Sequence, residues 1–396
     1  MNKLVCKWCI ALFLILNFYA NAQTNLVDVA FLQSTMEHAP VPIDFKKNRV
    51  QIIVGNCVKS HHHPVQFYSF GLDSSKYFYP ASGVKLPIVM LAMEWLNEHK
   101  SHKVFIDTDF ELKSDYTCHS FKSNDNNVEE KLSIENCIKK ILLVSDNNSY
   151  NALFDLMGRE YIHRKLQEKG FFKTRIVKSF SGCPDSLLNF KPAVQFFNDK
   201  KMMVYQEPEL LYNSTIERLP FDCVIGDSVM IDSITTLAGG KDFSKSNYMP
   251  LDEAMKMLVD LVHPGKNNCW RMTEKQRKFI MYWMSRYPRE SKMNLYADTS
   301  KYFDAYKKYF VYGKEANLSA DNAFRIYNVV GLAYGFATDI AYMQSNKSKK
   351  GIFIAATTYS NNDGVINDNR YDYETIGFPF LKYLGKSIYL KGVEGK

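Results

Sequence analysis

Apolar positions along the chain change period several times, and each change marks an element. Residues 49–55 (Arg-Val-Gln-Ile-Ile-Val-Gly) and 65–71 (Val-Gln-Phe-Tyr-Ser-Phe-Gly) have the length and β-branched or aromatic content of two strands joined by a turn. From Leu86 to Lys100 the apolar residues run almost all round a helix until Glu94, which predicts a buried helix rather than a surface one. Residues 133–144 and 147–158 read as two helices broken at Ser145. Residues 251–262 and 273–286 are helical as well, and Thr273 with Gln276 three positions later predicts a capping box. Strand patterns return at 323–331, 336–344 and 351–359, followed by a helix from about Tyr373 to Ile388. Residues 190–250 and 288–320 are aromatic-rich and follow neither period, so the pattern assigns them to no element.

The order of these elements constrains the fold. Two strands come early, helices fill the middle, and three strands with a helix come late, so one sheet must be completed by both ends of the chain. The expected class is α/β in the broad α+β sense: an antiparallel sheet with flanking helices over about residues 45–85 and 320–396. An all-α subdomain over about 86–319 is inserted between its halves.

Composition narrows the function classes. A chain of 396 residues with 46% hydrophobic content supports a sizeable core and excludes wholesale disorder. Fifty basic against 42 acidic residues give a formal charge of +8, dispersed without the basic block of a nucleic-acid arm, so nucleic acid is not an expected partner. Lys3 and Lys7, the apolar run from Ile10 to Leu16, and Ala20-Asn21-Ala22 form a signal-peptide pattern over residues 1–22. Its removal takes two lysines and no acid, which leaves +6 on residues 23–396 and predicts a periplasmic or secreted protein. No apolar run is long enough to span a bilayer. Cys57, Cys118, Cys137, Cys183, Cys223 and Cys269 remain after cleavage; no two of them form a C-x-x-C pair, and their pairing stays open. His61-His62-His63 reads as a solvated hairpin tip, because three adjacent loop side chains cannot easily converge on one ion. No metal or cofactor is expected.

Ser82-Gly83-Val84-Lys85 stands at the mouth of the buried helix. A spacing of three puts Ser82 and Lys85 on one helix face, one turn apart. A serine hydroxyl needs a neighbouring base to act as a nucleophile. Desolvation by the apolar helix, together with the positive end of its dipole, would lower the Lys85 pKa enough for that task. Pro87 demands a kink or a tight first turn, since in a continuous helix it would leave the Gly83 carbonyl without a donor. Sixty-three residues after Ser82, Ser145-Asp146-Asn147 lies at the break between two helices. A second hydroxyl there could relay a proton, and the amide could bind substrate or steady Lys85; all three residue types are also good helix caps.

Ser82-x-x-Lys85 followed by Ser145-Asp-Asn147 resembles the first two signatures of the penicillin-recognising serine hydrolases, most of all the class A β-lactamases. The likeness spans roughly residues 45–190 and 320–390. The segments 327–336 and 371–380 are similar to a larger, exported branch of β-lactamase-like enzymes. The resemblance implies that Ser82 is acylated by a β-lactam or a D-Ala-D-Ala-like carbonyl. Lys85 is then base or proton relay, Ser145 the proton shuttle, and Asn147 a substrate binder. The third family signature, K-T-G, falls on Val329-Val330-Gly331. Its glycine is kept at a strand edge that a ligand must approach closely, and Leu332 would supply an oxyanion-hole N–H, but Val329 replaces the lysine that clamps a substrate carboxylate. The family's deacylating glutamate is also missing: Asp185, with Asn189 four residues on, has the spacing of that Glu and its Asn partner, one methylene short. Three functions remain open: a β-lactamase, a D,D-peptidase or esterase on cell-wall-type acyl substrates, and an exported binding module. The expected partner is a small-molecule or peptide acyl substrate, and the expected state a monomer.

Overall fold

The computed structural model describes residues 26–57, 65–114, 127–180, 189–213, 215–232, 234–266, 268–319 and 321–396. The signal-peptide pattern, the histidine triplet, Cys118, Cys183 and Asp185 lie outside the described residues.

Both chain ends build one sheet. β1 (Gln51–Cys57) and β2 (Val65–Phe70) join three late strands. Between them, β3 (Asp109–Lys113), β4 (Ala193–Phe197) and β5 (Met203–Glu207) form a separate ladder. The late strands are β6 (Phe324–Ala333), β7 (Phe336–Ser345) and β8 (Gly351–Tyr359). The main sheet is antiparallel, in the order β6-β7-β8-β1-β2. β7 and β8 are buried along nearly their whole length, because both faces of the sheet are covered. Neighbouring residues divide between the two sides: Val329 and Ile340 pack into the larger core, Val330 and Ala341 into the other.

That second core is closed by α1 (Val29–Glu37) and a carboxy-terminal helix. α1 has no counterpart in the sequence expectations; Asp28 caps it by accepting from the Phe31 N–H, and Leu32 and Met36 are buried. The larger core surrounds α2 (Lys85–Glu98), whose residues from Lys85 to Leu96 are all buried, as an all-round apolar pattern requires. Against it stand α3 (Ile134–Val144), α4 (Asn147–Met157), α5 (Arg159–Glu168), α6 (Leu251–Val262) and α7 (Glu274–Ser285). The predicted capping box between Thr273 and Gln276 opens α7. A π-turn at Tyr373–Gly377 precedes α8 (Phe378–Tyr389), so the last α-helix starts later than the pattern suggested.

The middle of the chain is not all-helical. The β3-β4-β5 ladder lies there, with short two- and three-residue ladders between 190 and 242. Alternation explains β4, where Val194 and Phe196 are fully buried and their neighbours are not. Cys57, Cys137, Cys223 and Cys269 are free thiols among the described residues. No helix among the described residues is long and apolar enough to cross a membrane.

Candidate active site

The opening of α2 is a tight turn. A 3₁₀ segment, Ala81–Val84, runs directly into Lys85, whose backbone N–H donates to the Ser82 carbonyl. With three residues per turn, side chains three apart are eclipsed, so Ser82 and Lys85 leave the same side of the turn. Pro87 is the third residue of the α-helix, where the N–H it lacks would have had no helical partner. Ala81, just before Ser82, has φ +43°, a conformation that costs an L-residue about 1 kcal/mol. Ser82 is half-buried; Lys85 is 1% exposed.

The break between α3 and α4 divides its three residues by task. Ser145 takes a left-handed conformation, φ 60° and ψ 40°, which ends α3. Asp146 alone does the capping, accepting from the Ser149 N–H at 2.7 Å. The side chains on either side of it are therefore free to reach Lys85. Lys85 Nζ donates to the Ser145 carbonyl at 2.5 Å, to Ser145 Oγ at 3.1 Å and to Asn147 Oδ1 at 2.7 Å. Among the described residues no hydrogen bond joins Ser82 Oγ to Lys85 Nζ. The two are associated through the shared turn.

Electrostatics follow from this enclosure. Burial lowers the Lys85 pKa from 10.5 to about 7; Asp146 opposes the shift and the Lys307 charge adds to it. Phe180 and Tyr150 complete the apolar surroundings, with ring centroids 5.2 and 6.0 Å from Nζ. Phe180 is held by its own N–H, which donates to Asn151 Oδ1 at 2.7 Å. A carbonyl and an amide oxygen can only accept, whereas a hydroxyl can do either. Of the three bonds to Lys85 Nζ, only the one to Ser145 Oγ can reverse and carry a proton away.

The strand side of the site is built differently. A Cβ at Gly331 would lie 2.3 Å from the Pro80 carbonyl oxygen, so only glycine lets edge strand β6 pass this close to the turn that carries Ser82. What approaches Gly331 here is the main chain ahead of Ser82. Leu332 follows on the same strand, half-buried against the α8-side core. Val329 is 3% exposed and packs in the larger core.

Behind β6 lies a polar cluster that sequence reasoning missed. Lys308 Nζ donates to the carbonyls of Met284 and Ile326 and to Asn328 Oδ1 at 2.6 Å. Asn328 Nδ2 donates to Asp339 Oδ1 at 2.8 Å, and Asp339 Oδ2 accepts from the Tyr309 and Phe310 N–H groups. Lys307 Nζ donates to the Asn328 carbonyl at 2.9 Å. Burial pushes Lys307 down to about 7 and Asp339 up to about 6. This cluster ties the 307–310 segment to β6 and β7 and so fixes the strand beside Ser82. No motif or period announces it, because its members are brought together only by the strand register Asn328↔Ala341 and Val330↔Asp339.

The structure thus gathers Lys85, Ser145 and Asn147 by hydrogen bonds, with Ser82 on the same turn as Lys85 and Gly331 against the main chain just ahead of it, while the Leu332 side chain packs in the second core. It does not bring Asn189 to this group. The Asn189 Oδ1 accepts from Arg159 Nη1 at 3.3 Å and its carbonyl from the Tyr212 N–H at 2.7 Å, which ties it to the 210–212 segment.

Residues 47–209 match the model of the Beta-lactamase enzyme family, a span that includes Ser82, Lys85, Ser145 and Asn147 but ends well before β6. No curated protein matches the sequence. Among solved structures, a β-lactamase from Sphaerobacter thermophilus superposes with a TM-score of 0.51 at 11% identity, covering 93% of this chain and 98% of the other. A β-lactamase from Desulfarculus baarsii gives a TM-score of 0.51 at 11% identity, with 91% and 98% covered. The chain thus has the fold of these β-lactamases, and its residues 47–209 are similar in sequence to the Beta-lactamase enzyme family.

Proposed function

We propose that the protein is an exported, monomeric enzyme of the class A β-lactamase kind that hydrolyses β-lactam amide bonds through an acyl-enzyme on Ser82. What supports this most is the Lys85 amine, sealed from water, poised near neutrality and bonded to Ser145 and Asn147 at the turn that carries Ser82. In this reading Ser82 Oγ attacks the carbonyl carbon and its proton passes to the neutral Lys85 amine. The backbone N–H groups of Ser82 and Leu332 hold the oxyanion. The C–N bond breaks as Ser145 Oγ gives its proton to the departing nitrogen and recovers one from Lys85. Asn147 orients Lys85 and the substrate amide. Water then cleaves the ester with Asp185 as general base.

A second reading, a D,D-peptidase or esterase on cell-wall-type acyl donors, is favoured by one observation. Val329 is committed to the core, so its strand position offers no cation for a β-lactam carboxylate. Intact-mass measurement with a fluorescent penicillin separates the readings. A transient adduct on the wild type, absent from Ser82→Ala, with ring-opened product and slower adduct loss in Asp185→Ala, is the expected result. A lasting adduct points to the peptidase. No adduct but turnover of a simple ester points to the esterase, and inertness towards every acyl donor overturns the enzymatic reading in favour of a binding module.

A further inference from the structure

The two ends of β6 lead away from the Ser82 turn into different surroundings. Gly331 packs on the Pro80 main chain just ahead of Ser82. Towards Asn328 lies the 302–307 segment: Lys307 Nζ donates to the Asn328 carbonyl, and Tyr302 and Tyr306 line one cavity together with Ser145. In the other direction β6 turns into β7 through Tyr334-Gly335, roughly 20 Å of extended strand away from Asn328. There Tyr334, Tyr79 and Phe243 form a triangle of rings. Centroids are 5.0 Å apart for Tyr79 and Tyr334, 5.0 Å for Phe243 and Tyr334, and 5.2 Å for Tyr79 and Phe243. Tyr79 is three residues ahead of Ser82 and Tyr334 two beyond Leu332, so the chain ties this triangle to the Ser82 turn from both sides.

Lys241 stands over the triangle, with Nζ 5.4 Å from the Tyr334 ring centroid and 5.9 Å from that of Phe243. Its main chain is held by the pairing of Lys241 with Ile225 and of Asp242 with Val224, and by the Phe243 N–H donating to the Cys223 carbonyl at 3.1 Å. The side chain is half-buried, yet among the described residues its amine makes no hydrogen bond and no ion pair. Asp242, next in the chain, is taken by Arg218 at 2.8 Å. Burial lowers the Lys241 pKa, and the charge of Lys178 lowers it further, so the field at this end of β6 is cationic. Tyr334 holds φ +52° in a two-residue turn whose first position favours Asn or Asp; tyrosine there puts a ring beneath the amine. Ring faces replace only part of the hydration that a half-buried ammonium gives up. A carboxylate brought to Lys241 restores the rest, where a charge pair is screened less than at an open surface.

We propose that Lys241 is a specificity-determining residue that binds a carboxylate carried on the acyl portion of the donor. The side follows from β6. On the acyl-transfer reading, Ser145 protonates the departing nitrogen, which puts the leaving group towards Asn328; the acyl chain then runs from the carbonyl at Ser82 towards Tyr334 and Lys241. The inference rests on that reading for this orientation, but not for its first test. Phenylacetamide and the same amide with a carboxylate on its α-carbon cannot acylate Ser82, and saturation-transfer NMR titrations of the whole protein compare their binding. The carboxylated amide is expected to bind about tenfold tighter, a ratio that falls to about one in Lys241→Met and is kept in Lys241→Arg. Because the ratio is taken within one protein, a loss of folded material does not change it. Benzylpenicillin and its α-carboxy derivative carry the comparison to the rate of Ser82 acylation, read by intact mass, where the same Lys241-dependent preference should appear. Equal binding of the two amides to the wild type, or a preference that survives Lys241→Met, overturns the assignment even when both penicillins acylate Ser82. An amide preference that holds while neither penicillin acylates Ser82 supports the carboxylate site and counts against the acyl-transfer reading alone.

Discussion

Lys85 and Lys308 are each 1% exposed, and each donates three hydrogen bonds. Burial lowers the pKa of both. Their partners differ. Lys308 meets two carbonyls and an amide oxygen, all pure acceptors, with Asp339 one residue further on through Asn328. Lys85 meets one hydroxyl that can return a proton, and it shares a turn with the half-buried Ser82. A depressed lysine is therefore not in itself a catalytic signature; what makes it one is a reversible partner and access to substrate.

Replacing each lysine with methionine sharpens that contrast. Lys85→Met is expected to cut acylation by about 10³-fold, within the range of lost general-base catalysis, while leaving the melting temperature level or higher. Lys308→Met is expected to do the reverse. It strands Asn328, two carbonyls and the Asp339 carboxyl in a dry interior, at about 3–5 kcal/mol of stability. The protein that remains folded should acylate at nearly the wild-type rate. Thermal melts alongside adduct formation check both, and equal loss of activity and stability in the two variants would erase the distinction.

How far the sequence foretold this depends on the range of each interaction. Ser82 with Lys85 and Ser145 with Asn147 are local spacings, and the buried α2 is a local period, so all were legible. Which member of 145–147 caps α4 was not, since serine, aspartate and asparagine cap comparably and only the backbone at Ser145 decides. The Lys308–Asn328–Asp339 cluster depends on β-sheet register, and the placement of the 294–296 turn on Glu129, whose carboxylate accepts from the Asn294 and Leu295 N–H groups. Neither leaves a periodic trace. The residue type at Gly331 signals a close approach, but the Pro80 backbone that makes it lies 251 residues earlier in the chain, beyond the reach of any local pattern.

The most direct test is the pH dependence of the Ser82 acylation rate, read as adduct mass between pH 5 and pH 10. In the proposed mechanism the base is the neutral Lys85 amine, whose fraction grows as pH rises through its pKa of about 7. The rate should climb through a midpoint near 7 and level off above it. A rate still climbing past pH 9, as an ordinary lysine would give, or one independent of pH, would contradict the account.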